Sequence, residues 1–365
     1  MRHKRFLFAF ATFAIIVLAC QLCIPYTLMQ QESYALFLTT SDYLRETFAA
    51  PWPVAHLAGN FLLQFFHFPW AGPLILGLLG AMAYLLLSLF FRQKGVLPFS
   101  LAFTTLLLSA VIVMASSHRV REVERYSAVE YAASRHDWPR VLRRATPEAT
   151  RDDRQLLPYA LLALTESGQL PDCMMRYPVR TVDDFCPESW SDRRGLAFKA
   201  CLYECMGIPG EAIHNTFQAA TALPHGSSFG TLRALVRLNR LKGDERLAHK
   251  YATILSHSTL HKGWGKDIPL NEAPEQSASD RQSAILNSSQ APLITPTYYY
   301  NVTSLIAHGA YSKTLADRSL CGLLLQGDLV RFRQMYALFP HAEGEPVPAL
   351  YRDALSSASP MPATP

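Results

Sequence analysis

The sequence contains 365 residues, of which half are apolar and only 17% are charged, against about a quarter in an average soluble domain. This composition excludes a disordered chain, a collagen and a coiled coil. The formal net charge of +5 is too small and too dispersed to indicate a nucleic-acid partner. Residues 1–118 hold nine charged side chains and residues 119–365 hold the other 54. We therefore predict a membrane domain over residues 1–118, followed by a water-exposed domain over residues 119–365.

Three apolar segments are long enough to cross a membrane, which takes roughly 20 residues without charge. They cover residues 6–24, 71–91 and 97–117. Pro69 separates the second segment from more apolar sequence before it, because proline lacks the amide hydrogen that a helix interior needs. The pattern predicts three spanning helices.

A further uncharged helix is predicted over residues 54–68. Its rings are typical of the membrane–water boundary, so an interfacial or re-entrant helix is favoured, with ordinary packing against the spans as the alternative. The residues that carry this interpretation are Phe61, Gln64, Phe65, Phe68 and Trp70. Upstream, apolar residues at helical spacing predict a short amphipathic helix from Ser33 to Phe48, capped by Ser33.

The distribution of basic residues predicts the orientation, because Lys and Arg near span ends favour the cytoplasmic side. Arg2, Lys4 and Arg5 precede the first span, and Arg92 and Lys94 lie between the second and third. We expect a cytoplasmic N-terminus and an external domain after the third span.

The first apolar segment also resembles a lipoprotein signal, since a basic start and an apolar run lead to Cys20. Cleavage there would make Cys20 the lipid-anchored N-terminus. An uncleaved span is the favoured interpretation.

Helical segments in pairs predict an all-α second half. Turns at Asp137, Gly168, Gly207 and Gly243 are 31, 39 and 36 residues apart, near the 34-residue period of tetratricopeptide hairpins. Such hairpins stack into a solenoid; an irregular helical domain is the alternative. Residues 262–296, rich in Ser, Pro, Asn and Gln, are predicted to form a loop insertion. Further helical segments are predicted over residues 298–325, 329–339 and 349–356.

The sequence contains no phosphate-binding glycine loop and none of the GxSxG, HExxH or CxxC motifs. Cys201 and Cys205 are spaced for one helix face, which makes a poor disulfide, and they are interpreted as buried small residues. Cys173 and Cys186 flank a loop and could form a disulfide outside the cytoplasm. No catalytic residue, metal ligand or cofactor is predicted.

Two stretches carry a family resemblance. The first contains Gln31-Glu32, Leu36-Phe37, Asp42-Tyr43-Leu44, the run from Phe61 to Phe66, and Phe68-Pro69-Trp70; the second contains the run from Thr297 to Asn301, the run from Leu320 to Leu325, Asp328-Leu329, and the run from Tyr351 to Leu355. Together they resemble a family of multi-pass membrane proteins from Bacteroidota, catalogued as a domain of unknown function. The resemblance implies a Gram-negative inner membrane and a helical C-terminal half, and it supplies no catalytic residues. Combined with the orientation predicted from the basic residues, an inner membrane makes the second domain periplasmic.

Two functions are compatible with this sequence. The first is a membrane anchor that presents a helical-repeat surface to another envelope protein, with the lipid bilayer as its other partner. The second is a degenerate or accessory relative of a lipid-linked sugar transferase, which would use acidic residues of the first external loop. The candidates are Glu32, Asp42 and Glu46; a solvated helix face and a helix cap are the favoured explanation for these three.

Overall fold

The computed structural model describes residues 2–90, 96–187, 189–263, 313–339 and 346–357. Within these ranges the regular structure consists of helices, with no strand. The predicted all-α class is therefore confirmed. Most of the predicted loop at 262–296, and the start of the segment predicted over 298–325, lie outside the described residues.

The N-terminal helices include the three expected spans. Their bounds are α1 Arg2–Cys23, α2 Pro25–Tyr34, α3 Ser41–Ala49, α4 Pro53–Leu63, α5 Ala71–Phe90, α6 Val96–Ser116 and α7 His118–Ala133. The segments His3–Cys23, Ala71–Phe90 and Leu97–Ser116 are long and apolar enough to cross a membrane. They agree with the predicted spans to within three residues at each end.

The later helices continue the pattern. Their bounds are α8 Trp138–Arg144, α9 Pro147–Asp152, α10 Leu157–Glu166, α11 Leu170–Cys173, α12 Arg193–Cys205, α13 Pro209–Thr221, α14 Phe229–Lys242 and α15 Glu245–Ser256, followed by Lys313–Leu325, Leu329–Leu338 and Ala349–Ser356. No disulfide joins Cys173 and Cys186, and none occurs elsewhere in the described residues.

Backbone contacts divide the chain into two compact units that interleave along the sequence. Among the described residues, the first unit contains residues 2–90, 96–131, 223–233 and 250–263, and the second contains the remainder. Two segments from the charged half of the sequence therefore belong to the same unit as the apolar helices.

In the first unit, α1 packs against α5 and α6. Glycine allows the close approach of α5, because a methyl group on Gly77 would lie 2.6 Å from Cγ2 of Val17. Small residues commonly permit such approach between membrane helices. Tyr84 of α5 is fully buried, and its hydroxyl lies 2.6 Å from the Ser100 hydroxyl of α6.

The predicted helix from Ser33 to Phe48 is wrong. The chain forms α2 up to Tyr34, runs extended, and begins a new helix at Ser41. Pro25 occupies the first turn of α2, where its missing amide hydrogen costs nothing. The amides of Tyr26 and Thr27, both 2.9 Å from the Glu124 carboxylate of α7, complete that turn.

The segment predicted as an interfacial helix over 54–68 is helical but changes geometry. It forms α4 up to Leu63 and a tighter 3₁₀ turn over Gln64–His67. A 3₁₀ turn has three residues per turn rather than 3.6. Side chains from Gln64 onward therefore do not continue the helix faces that an ideal α-helix over residues 54–68 would have.

Five helix pairs are joined by the same type of turn, and all five turns lie in the second unit. In each, the residue that ends the turn donates its amide to the carbonyl five residues earlier: Asp137 to Ala132, Gln169 to Leu164, Ile208 to Tyr203, Asp244 to Asn239 and Asp328 to Leu323, at 2.8–3.0 Å. The preceding residue has positive φ: His136, Gly168, Gly207, Gly243 and Gly327. This is the Schellman motif, which favours glycine at that position. Its recurrence accounts for the turn spacing seen in the sequence.

A buried arginine joins distant segments of the second unit. Arg318, 2% exposed, donates to the Phe185 carbonyl at 2.9 Å and to the Thr165 hydroxyl at 3.3 Å. Its guanidinium also lies 4.9 Å from the centre of the Phe185 ring, a stabilising cation–π contact.

The helix packing in the first unit predicts a contrast between two glycines. Gly77→Val places side-chain atoms against Val17 and should lower the free energy of unfolding by about 1–3 kcal/mol through overpacking. Gly59→Ala in α4, where no atom lies within 4 Å of the added methyl group, should be neutral or stabilising by up to about 1 kcal/mol. Thermal unfolding of the detergent-solubilised protein measures both. Equal loss of stability would show that α1 and α5 do not pack through Gly77.

Candidate functional site

The first candidate site is built around Glu32, on the last turn of α2. Glu32 is 2% exposed, so its carboxylate is removed from water. A buried ionised group is rarely stable without partners. The prediction of a solvated helix face does not hold for this residue.

Arg233 and His261 hold the Glu32 carboxylate. Arg233 of α14 donates Nη1 to Oε1 at 2.6 Å and Nη2 to Oε2 at 2.8 Å, which is the bidentate geometry that matches guanidinium to carboxylate. Nε2 of His261 lies 3.0 Å from Oε1, and the His261 side chain is 4% exposed. We call these three residues the Glu32 centre.

The backbone around the Glu32 centre is closely fitted. The Phe229 amide donates to the Ala35 carbonyl at 2.9 Å, and the Phe229 ring lies 4.4 Å from the His261 ring. A methyl group on Gly230 would stand 2.7 Å from the Ser33 carbonyl oxygen. Only a residue without a side chain permits this approach of α14 to the end of α2.

Electrostatics keep Glu32 ionised. Burial alone would raise its pKa, but the neighbouring His261 side chain and the two hydrogen bonds from Arg233 lower the pKa to about 2. A carboxylate with this pKa is a poor proton acceptor at neutral pH, since general bases work best with a pKa near the working pH.

The other two acidic candidates do not join Glu32. Asp42 is exposed in the first turn of α3, where a negative charge favours the helix dipole. Glu46 is 61% exposed and lies 3.4 Å from Nδ1 of His225. The structure therefore places the three carboxylates in different environments rather than in one catalytic pocket.

The residues assigned to the interfacial helix divide by exposure. Phe61, Phe68 and Trp70 are 37%, 52% and 57% exposed, and Phe65 is half-buried with its ring 5.4 Å from that of Phe61. Gln64 is completely buried, and its amide donates to the Thr259 hydroxyl at 3.4 Å.

A second cluster lies in the second unit and was missed as a group by sequence reasoning. One potential ligand atom from each of His136, Cys201 and Cys205 lies within 4.8 Å of the other two. The spacing of the two cysteines was visible in the sequence. The third member, His136, could not be predicted as a neighbour of the two cysteines, because it is about 65 positions earlier in the sequence. The sequence pattern indicated only that His136 lies in a turn between two helices.

Burial and mutual contact set the titration of this cluster. The hydrogen bond with Cys201, together with burial, raises the pKa of the Cys205 thiol well above its ordinary value. Burial would lower the pKa of His136, but its interactions with Cys205 and Glu204 raise it overall. Glu204 is itself paired with Arg237, whose Nη2 lies 2.6 Å from its carboxylate.

The observed architecture defines a class of all-helical proteins with three candidate membrane spans. The chain matches the family described as "Family of unknown function (DUF6057)" over residues 2–123 and 120–361, and it belongs to this family. No curated protein and no solved structure matches the chain. Membership of a family of unknown function agrees with the resemblance drawn from the sequence; an origin in Bacteroidota and a tetratricopeptide-like half stay predictions.

The Glu32 centre predicts that Glu32 and Asp42 contribute very differently to the free energy of unfolding. Glu32→Gln leaves Arg233 and His261 buried without their anion, and breaking a buried pair in this way costs about 3–5 kcal/mol. Asp42→Asn removes an exposed charge and should change the free energy of unfolding by no more than about 0.5 kcal/mol. Thermal unfolding in detergent compares the two. Similar melting temperatures would contradict the buried ion pair.

The lowered pKa of Glu32 predicts a pH dependence. Because the folded-state pKa of about 2 lies below the ordinary 4.5, ionised Glu32 stabilises the fold above pH 4.5, and this contribution, about 3 kcal/mol, is lost as pH falls towards 2. The stability difference between the wild type and Glu32→Gln should therefore shrink over that range, because protonated glutamate and glutamine are both neutral. A constant difference from pH 6 to pH 2 would contradict the account.

Proposed function

We propose that this protein is a membrane-anchored helical protein of the bacterial inner membrane that presents its helix pairs to another protein of the cell envelope. The proposal assigns the spans and juxtamembrane helices to anchoring and the second unit to recognition. The observation that carries it is the use of the buried Glu32 carboxylate as a structural ion pair rather than as an accessible reactive group.

The helix pairs of the second unit support a recognition role. Helix pairs with a common turn are the building unit of solenoid proteins, whose stacked repeats offer extended binding surfaces. Large apolar side chains remain exposed there, including Met175 at 68% and Phe217 at 43%. Exposed apolar residues of this kind supply the contacts at the centre of protein interfaces.

The sugar-transferase alternative receives less support. Its acidic loop residue must reach a sugar or a metal ion, but both oxygens of Glu32 are occupied by Arg233. Asp42 and Glu46 are both exposed, but they do not share a site with Glu32, and a carboxylate in a first helical turn, as at Asp42, is more typical of helix stabilisation.

We assign α4 and the residues that follow it to the membrane interface. Phe61, Phe68 and Trp70 are exposed, and Trp70 directly precedes the span Ala71–Phe90. Aromatic rings at the end of a span are favoured at headgroup level, and exposed apolar residues of α4, such as Val54 at 71%, would otherwise face water.

The proposed orientation is tested by reporters fused to the C-terminus of the full chain. We expect the alkaline phosphatase fusion to be active and the green fluorescent protein fusion to be non-fluorescent, because a periplasmic location permits folding of the first reporter only. Fusions after Lys94, between the second and third spans, should give the opposite pattern. Fluorescence at the C-terminus without phosphatase activity would contradict a periplasmic second domain.

The proposed recognition role is tested by photo-crosslinking in intact host cells. A crosslinking side chain at Met175 or at Phe217 should yield one discrete protein adduct, because a docked partner lies within reach of a fixed position. The same side chain at Phe198, which is fully buried, is the control and should give none. Absence of a discrete adduct from both exposed positions would overturn the proposed recognition role of the second unit.

A further inference from the structure

The cluster of His136, Cys201 and Cys205 brings together three side chains that bind thiophilic cations. Cys201 and Cys205 are one helical turn apart on α12, and His136 stands in the turn between α7 and α8. Imidazole nitrogen and thiolate sulfur are the ligands that Zn²⁺ and Cu⁺ prefer in proteins. The ligand type therefore selects against Mg²⁺ and Ca²⁺, which take oxygen ligands.

The spacing of the ligand atoms fits such a cation with a small adjustment. Tetrahedral bonds of about 2.3 Å to sulfur and 2.0 Å to nitrogen place ligand atoms roughly 3.5–3.8 Å apart. The three atoms here lie within 4.8 Å of one another, so closure requires shifts of about 1 Å, within the reach of side-chain rotation.

The position of His136 is unusual in a way that points to a ligand. Its φ is +56°, whereas glycine stands at the corresponding turn position in the other four pairs, at Gly168, Gly207, Gly243 and Gly327. A residue with a side chain pays roughly 1–2 kcal/mol for this left-handed conformation. His136 therefore adopts a conformation that glycine would adopt at lower cost, with its ring beside Cys201 and Cys205.

The surroundings favour a metal complex of low net charge. Cys205 is 1% exposed, and a buried bare thiolate is unfavourable. Two thiolates sum to zero charge with Zn²⁺ and to −1 with Cu⁺, and the neighbouring Glu204–Arg237 pair is neutral. Among the described residues no fourth side chain joins the group, so one coordination position is left for water or another small ligand on Zn²⁺, and none is needed for three-coordinate Cu⁺.

We propose that His136, Cys201 and Cys205 form a binding site for one thiophilic cation, Zn²⁺ or Cu⁺. This site is separate from the Glu32 centre and does not depend on the proposed recognition role. Because the ligands come from the α7–α8 turn and from α12, binding would join two segments of the second unit.

The test uses the full chain, purified in detergent under reducing conditions and stripped of metal with a chelator. Zn²⁺ and Cu⁺ are titrated separately against competing chromophoric chelators, and Co²⁺ serves as a spectroscopic probe of thiolate ligation. We expect one equivalent of Zn²⁺ or Cu⁺ to bind, and Co²⁺ to give a sulfur-to-metal charge-transfer band. The cation that binds more tightly at equal competition identifies the one the site prefers.

Variants separate this site from other metal-binding groups on the protein. Cys201→Ser, Cys205→Ser and His136→Gly should each weaken binding at least about tenfold, and both cysteine variants should lose the cobalt band. Cys173→Ser changes a half-buried cysteine of the same unit outside the cluster, and it should bind as the wild type does. His136→Gly also suits the left-handed turn, so lost metal binding in a protein that melts no lower than the metal-free wild type excludes misfolding as the cause.

Two results would overturn the proposal. One is a reduced wild-type protein that binds neither cation under competition. The other is binding that all three cluster variants retain at wild-type affinity, which would place the cation elsewhere on the chain.

Discussion

A carboxylate buried between Arg233 and His261 constrains how the segments of the first unit meet. Glu32, Arg233 and His261 come from chain positions about 30 to 230 residues apart, and burial of any one charge alone would be costly. The geometry is therefore closely determined: the end of α2 must meet the beginning of α14, and Gly230 must lack a side chain to allow it. A carboxylate that is buried and held by two partners is also poorly accessible as an acid or base.

The composition and spacing of the sequence predict much of the fold. The three spans follow from uncharged segments of the required length, and the turns of the helix pairs follow from Gly168, Gly207, Gly243 and Gly327, each of which adopts positive φ. These features are local, so a single stretch of sequence contains the information. The short helix α9 and the division of residues 25–49 into α2 and α3 were not predicted.

The Glu32 centre could not be predicted from the sequence, because its three residues are remote from one another along the chain. Apolar periodicity across Ser33–Phe48 suggested one helix, whereas the chain forms a helix that begins at Pro25, where Glu124 caps it, and ends at Tyr34. No local pattern identifies Arg233 and His261 as partners of Glu32. The same limitation applied to His136, whose relation to Cys201 and Cys205 depends on how the α7–α8 turn packs against α12.

The central claim is that Glu32 and Arg233 form an energetically coupled pair, and a double-mutant cycle tests it most directly. Stabilities of the wild type, Glu32→Gln, Arg233→Gln and the double variant are measured by thermal unfolding in detergent. We predict that the double variant is more stable than the sum of the single effects implies, with a coupling energy of about 1–3 kcal/mol. Additive effects, equal to within about 0.5 kcal/mol, would contradict the account.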